Sequence, residues 1–402
     1  MEREQRVGSL EGLRDRNRLR VVETLRRNRT ASRADIARAT GLSRSTVGTL
    51  VADLQARGLV VERAGEVPER GAGRPPVLLA LDPSAGAALG LDFGHSHLTV
   101  AVADLSSTVL AEQRVDLDVD RAAGEALDAA AELAREVLER AGVPRENVIA
   151  AGMGLPGPVD RVSGVVGSSV ILPGWAGLAA RDEAAARLGL HVEVENDANL
   201  GALGEVTHGA GRGETDVVYV KVSNGIGAGL ILGGRLHHGA GGVAGELGHV
   251  QVRDDGAICR CGNRGCLETI AAAPALLDLL RPSHGQDLTT ADMLALARGG
   301  DLGSRRLLAD AGRAVGRVLG DLCNHINPGM VIVGGDLAAA GAPLLDGIRE
   351  SIDRYALPAA AHVRVEAATL GDRAEVLGAL ALVIGDVERL GAGLAAVAGA
   401  AT

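Results

Sequence analysis

Residues 89–102, LGLDFGHSHLTVAV, read as a strand, a glycine-containing tight turn and a second strand, and residues 217–231, VVYVKVSNGIGAGLI, repeat that plan in the second half of the chain. Two such units predict a duplicated fold with a cleft between its halves. Glycine at the turns lets backbone N–H groups approach phosphate oxygens with no Cβ in the way. Around both units, short Val/Ile/Leu runs alternate with Ala/Leu/Arg-rich helical segments, the pattern of an α/β body. No G-x-x-x-x-G-K-[ST] is present. Gly152–Gly157 matches G-x-G-x-x-G literally, but Pro156 and Pro158 stand where the helix of a dinucleotide fold would begin. That match is read as chance or as a turn with another role.

The 402 residues are enough for two or three domains. With 47% hydrophobic and 23% charged residues, disorder, collagen-like repeats and a disulfide-rich scaffold are excluded. Aromatics are 1%, so the core must be built from Ala, Val, Leu and Ile. No apolar run reaches the roughly 18–20 residues of a membrane span, and the start, MEREQR, has no apolar signal-peptide core. The Ala/Gly-rich tail after Leu390 reads as a frayed end. The expectation is a soluble, cytoplasmic protein with no membrane partner.

The net charge of −10 is divided unevenly: residues 1–75 hold 16 Arg against 10 Asp and Glu, a net of +6, leaving −16 on the remainder. A basic head on an acidic body predicts that only the head meets a polyanion, although Arg is also this chain's default basic residue, Lys221 being its sole lysine. The head reads as three helices. Asn17–Asn28 places Leu19, Val22 and Leu25 on one face. Ser32 caps Arg33–Thr40, with Ala34, Ile36, Ala37 and Ala39 apolar, and Gly41–Leu42 make a turn. Ser43 then caps a helix with Val47, Leu50, Val51 and Leu54 on its apolar face and Arg44, Ser45, Thr46 and Thr49 on the other. This is a helix-turn-helix whose last helix suits the major groove of a double-stranded operator. Gly58–Glu62 and Val77–Leu81 read as a two-stranded wing. Gly65–Pro76 reads as its tip and as a hinge, with Arg74 placed to reach a phosphate or the minor groove. A protein-docking bundle is the competing reading of the helices alone.

His249 is followed by Cys259-Arg-Cys261-Gly-Asn-Arg-Gly-Cys266, so three of the four cysteines fall within eight positions. In a reducing compartment such clustering means metal or redox chemistry. C-x-C is a poor redox pair, whereas three Cys and one His form a closed structural zinc set with no position left for water. Cys323, in an apolar helix, is read as a buried hydrophobe. Residues 192–199 form a short strand ending in Glu195-Asn196-Asp197-Ala-Asn199 before a helix. Asn196 and Asp197 can bond sugar hydroxyls and Asp197 can serve as a general base; the competing reading has Asp197 capping the helix. Glu246 and Glu268 flank the metal loop.

Taken together, LDFG (91–94), ENDAN (195–199), SNGIGAG (223–229), GELGH (245–249) and CRCGNRGCLE (259–268) resemble the ROK family (repressor, open reading frame, kinase) of bacterial sugar kinases and sugar-responsive repressors. The resemblance spans nearly the whole chain. It implies an actin-like body of two ribonuclease-H-type lobes with a winged helix-turn-helix prefixed, as in the repressor branch. The expected layout is 1–82 for the head with its hinge, 83–194 plus 372–395 for a small lobe, and 195–371 for a large lobe carrying the zinc loop. By resemblance Asn196, Asp197, Glu246, His249 and Glu268 contact a hexose or a derivative, His249 also binds zinc, and Asp197 is the base in any active kinase. Asp92, Gly94, Gly225, Gly227, Gly334 and Gly335 correspond to the nucleotide side. Family kinases read D-x-G-G-T-K in the first phosphate loop, where this chain has Asp92-Phe-Gly94-His95-Ser96-His97, and Asn224 stands where they often have Thr. Histidine is a poor substitute for a permanent cation beside a triphosphate. The reading is a sugar-responsive regulator, a repressor, acting as a homodimer or dimer of dimers on paired half-sites. The alternatives are a hexose kinase that uses ATP and Mg²⁺, and a regulator with a vestigial pocket.

Overall fold

The computed structural model describes residues 10–63, 77–160, 163–167 and 171–385. Arg74, the wing tip and hinge, and the tail after Leu390 lie outside the described residues. The head comprises α1 (Leu10–Asn28), β1 (Ala31–Ser32), α2 (Arg33–Thr40), α3 (Arg44–Ala56), β2 (Val60–Arg63) and β3 (Leu78–Leu81). The first half of the body contains β4 (Ala87–Phe93), β5 (His97–Asp104), β6 (Val109–Asp116), α4 (Ala123–Ala141), β7 (Val148–Leu155), α5 (Ala180–Leu188), β8 (Val192–Asn196) and α6 (Asp197–His208). The second half contains β9 (Val217–Val222), β10 (Ile226–Leu232), β11 (Arg235–Leu236), α7 (Glu268–Ala271), α8 (Ala273–His284), α9 (Thr290–Arg298) and α10 (Leu302–Ile326). It closes with β12 (Met330–Gly334), α11 (Ala342–Tyr355), β13 (Arg364–Ala367) and α12 (Ala374–Ile384).

The head's helix ends follow from its caps. Ser32 and Asp35 form a reciprocal capping box on α2, Gly41 ends it at φ 68°, and the Ser43 hydroxyl accepts the Thr46 N–H at the start of α3. Val47, Leu50, Val51 and Leu54 are buried against Val21, Val22 and Leu25. Two details differ from the sequence expectation. Leu19 is exposed, Val21 taking its place in the core, and α2 buries Ile36 but leaves Ala34 and Ala39 in solvent. The wing has a third strand, because β1 pairs with β3 on the side away from β2. The described strands on either side of 64–76, β2 and β3, pair with each other in the head, and from β3 the chain enters the body through the short 3₁₀ turn Pro83–Ala85 capped by Asp82.

The body repeats one topology. Its first sheet runs β6-β5-β4-β7-β8 and its second β11-β10-β9-β12-β13. Taken in order within each half, both read third, second, first, fourth, fifth strand, with the first three antiparallel and the rest parallel. The first sheet extends to Asn196, which pairs with Leu155, two residues past the expected lobe boundary. With few aromatics, the outer core of this half centres on Trp175, edge-on to Phe93 at 5.4 Å, its indole N–H donated to the Val119 carbonyl at 2.8 Å.

The final helix of each half lies on the inner side. α6 packs on the second sheet around Tyr219 and Ile332, and α12 packs on the first around Ala88, Ala101 and Ala150. The two helices cross at backbone contact distance: a Cβ at Gly378 would collide with the Leu200 carbonyl, and one at Gly204 with the Ala374 carbonyl. Gly152, the first glycine of the literal G-x-G-x-x-G match, lies in β7 directly under Ala379 of α12, so its role is close packing. Overpacking this crossing has a direct consequence. Gly378→Val should destabilise the chain by about 1–3 kcal/mol, read as a lower urea midpoint, and an unchanged midpoint would contradict this packing.

Candidate functional site

The parallel strands of both sheets end at one cleft of about 400 Å³, within the size range of small-molecule sites and at the strand ends where α/β folds place ligands. Asn196, Asp197, Glu246, His249 and Glu268 all line it. Asn196 is the N-cap of α6: its Oδ1 accepts the Ala198 and Asn199 N–H groups at 2.9 and 3.2 Å, and its Nδ2 donates to the Gly157 carbonyl at 3.1 Å. The capping role therefore falls to Asn196. Asp197 is held differently, its Oδ1 accepting the Ala198 N–H at 2.8 Å and its Oδ2 accepting from Lys221 Nζ at 2.9 Å. Lys221 also reaches Glu375 Oε1 at 2.8 Å. Burial by itself lowers a lysine pKa, but here the carboxylates of Asp197 and Glu375 outweigh it and hold Lys221 well above its ordinary value.

Behind this row Glu195 is buried, bonded to His238 Nε2 at 2.7 Å, Asn199 Nδ2 at 2.9 Å and the Asn196 N–H at 2.9 Å. Burial would raise its pKa, yet these bonds bring it below the usual carboxylate value. Glu246 moves the other way, raised by burial and by the nearby Asp197 and Glu268 carboxylates despite His249. Glu268 Oε2 accepts the Ile226 N–H at 3.2 Å and its Oε1 accepts from Arg260 Nε at 2.7 Å.

His249, Cys259, Cys261 and Cys266 bring one ligand atom each to within 4.8 Å of one another. Cys261 and Cys266 Sγ are 3.7 Å apart, and Cys259 Sγ is 3.6 Å from His249 Nδ1. A tetrahedral zinc with Zn–S of about 2.3 Å and Zn–N of about 2.0–2.1 Å has edges of roughly 3.5–3.8 Å, so the donor set and spacing are compatible with a structural zinc ion. The remaining His249 nitrogen, Nε2, lies 3.9 Å from Glu246 Oε2. One ring thus faces the thiols on one side and the cleft on the other.

The residues expected on the nucleotide side are more enclosed. Gly94, Gly225, Gly227, Gly334 and Gly335 line the cleft, while Asp92 is buried beneath it. Asp92 Oδ2 holds His97 Nε2 at 3.0 Å, and the His97 ring lies over Gly94 where any Cβ would strike it. The Gly94 N–H itself is donated to the His97 carbonyl at 3.0 Å. His95 is turned away to Asp120 at 2.8 Å, and Arg260 lies across Gly225.

In the head, Arg44, Ser45 and Thr49 are exposed and Thr46 is half-buried on the outward face of α3. The Ser43 hydroxyl lies 2.9 and 2.8 Å from the Ser45 and Thr46 hydroxyls, and Thr49 Oγ1 donates to the Ser45 carbonyl at 3.1 Å. Lys221, Glu375, His238, Arg260 and His97 as a plug were not picked out from the sequence. The singularity of Lys221 in a 402-residue chain was a usable signal. Glu375 carried none, since it lies 178 residues from Asp197 in an Ala/Leu helix.

A model of the ROK family matches residues 88–386, and one of the MarR family matches residues 12–71. The chain belongs to the ROK family. A xylose repressor of Caldicellulosiruptor bescii is 30% identical over 387 residues, covering 92% of this chain and 96% of the repressor. The crystal structure of a ROK family transcriptional regulator, homolog of the E. coli MLC protein, matches with a TM-score of 0.79 at 26% identity over 96% of this chain and 99% of that one. A ROK glucokinase from Streptomyces griseus, solved with glucose and AMPPNP, matches with a TM-score of 0.65 at 32% identity over 74% of this chain and 99% of that one.

Replacing Cys266 by Ser should remove about one zinc per chain by elemental analysis and lower the melting temperature by at least about 5 °C. Wild-type protein with no bound zinc and a melting temperature indifferent to chelator would contradict the assignment.

Proposed function

We propose that this chain is a sugar-responsive, DNA-binding transcriptional repressor that senses a hexose or a derivative in its cleft. The observation that carries the reading is that likeness to a repressor takes in both head and body, 92% of this chain. Among the described residues no helix is long and apolar enough to cross a membrane, and an operator-binding role places the protein in the cytoplasm. The head, residues 1–82, would read the operator through Arg44, Ser45, Thr46 and Thr49, with Arg74 at the wing. Residues 83–194 with 372–395, and 195–371, would form the two lobes. Paired half-sites call for a homodimer or a dimer of dimers.

In the cleft, Asn196, Asp197, Glu246, His249 and Glu268 would take the sugar hydroxyls, carboxylates being suited to bidentate bonding from adjacent hydroxyls. His249, Cys259, Cys261 and Cys266 would hold a zinc ion that fixes the loop presenting Glu246 and Glu268. The kinase alternative needs Asp92, Gly94, Gly225, Gly227, Gly334 and Gly335 to admit ATP with Mg²⁺ and needs Asp197 free to take a proton. The His97 ring over Gly94 and the Lys221 ammonium on Asp197 oppose both requirements.

A thermal-shift screen over pentoses, hexoses and their derivatives should find one that raises the melting temperature, and that sugar should change affinity for a duplex from the protein's own upstream region. Arg44→Ala should weaken the same duplex about tenfold to a hundredfold, the span of one base-reading side chain. A coupled assay with ATP, Mg²⁺ and the same sugar should give no turnover. Turnover that disappears in Asp197→Asn, with DNA affinity indifferent to the sugar, would replace the repressor reading by the kinase.

A further inference from the structure

A head can answer a cleft only through something solid that touches both. The turn Pro83–Ala85 joins head to body but contributes no residue to the cleft. Helix α12 touches both regions. At its first turn Glu375, 6% exposed, meets Lys221 in the cleft. At its last turn the Ile384 carbonyl accepts Arg26 Nη2 of α1 at 2.9 Å. We propose that Lys221 is a positioning residue of the sensing site: it keeps Asp197 as a fixed hydroxyl acceptor instead of a free base and, by sharing its charge with Glu375, ties occupancy of the cleft to α12 and so to the head. The proposal rests on the reading of the cleft as a sugar sensor and names how that site is heard.

The cleft end works by competition. An ammonium has three donors, and Lys221 spends two of them on Asp197 Oδ2 and Glu375 Oε1. Asp197 Oδ1 is already engaged by the Ala198 N–H, so a sugar hydroxyl seeking Asp197 meets Lys221 at the other oxygen. Whatever hold Lys221 loses on Asp197 falls to Glu375, which at 6% exposure is little screened by solvent.

The rest of α12 passes the change on because it cannot absorb it. A Cβ at Gly378 or Gly152 would strike the backbone of Leu200 or Ala379, so the helix is seated backbone-to-backbone against α6 and β7. Packed contacts of this kind shift as units and do not deform smoothly. At the far end the Ile384 carbonyl is among those that a helix terminus leaves without an intrahelical donor. Arg26 needs that carbonyl. Its side chain is 10% exposed, Nη1 is on Glu23 Oε2 at 2.9 Å, and Nε is buried with no partner. Burial lowers its pKa in spite of Glu23. On α1, Arg26 follows Val21, Val22 and Leu25, which pack on α3, the helix that carries Arg44.

The test needs neither sugar nor operator. Amide hydrogen exchange is followed by mass spectrometry on the zinc-containing full chain as wild type, Lys221→Met, Lys221→Arg, Glu375→Gln and the surface control Arg135→Ala. Lys221→Met and Glu375→Gln should each speed exchange by about tenfold or more in residues 376–384 and also in residues 21–28, with α10 unchanged. Lys221→Arg should restore wild-type exchange, and Arg135→Ala should match wild type. Acceleration confined to residues 376–384, or spread equally into α10 as in global loosening, would overturn the relay. Should Lys221→Met fail to fold, the near-isosteric Glu375→Gln decides alone. Failure of the sugar reading shows separately, as a thermal-shift screen without a hit.

Discussion

The arrangement depends on two helices crossing with nothing but glycine between their backbones. Gly204 and Gly378 let α6 and α12 meet between the sheets, and that contact sets how the lobes face each other. It fixes where Asp197 and Glu375, each the first or second residue of its helix, enter the cleft. It also fixes where the C-terminal end of α12 meets the head, and His208, which ends α6, lies near enough to Arg26 and Arg29 that they help depress its pKa beyond the effect of burial. The duplicated topology supplies two sheets; the crossing makes them one instrument.

Two chemistries share the cleft wall. The thiol cluster is compact enough for a closed four-ligand ion, and a closed set can shape a loop but cannot activate water. His249 links that loop to the cleft by facing both ways. Opposite it, the groups that would serve phosphoryl transfer are engaged within the chain: Asp92 with His97, Gly94 under the same ring, Asp197 with Lys221.

Much of this was legible in the sequence because it was local. Capping residues such as Ser32, Gly41 and Ser43 act within four positions of themselves, and the thiol spacing around Gly262 and Gly265 folds back over a few residues. The repeated strand–glycine–strand plan revealed the duplication for the same reason. What escaped was long-range. The partnership of Lys221 with Glu375 joins residues 154 positions apart, His238 finds Glu195 across 43, and the third wing strand is two residues long. Leu19 was misplaced because a three-residue spacing drifts off a helical face and the core follows Val21, Val22 and Leu25.

Coupling between a sugar cleft and a DNA-reading head is a free energy and must act equally in both directions. The most direct measurement is calorimetric titration of the sugar into the free protein and into its complex with operator duplex. The account predicts two different sugar affinities, in the same ratio by which saturating sugar alters affinity for the duplex. Equal sugar affinity for the free and DNA-bound protein would contradict it.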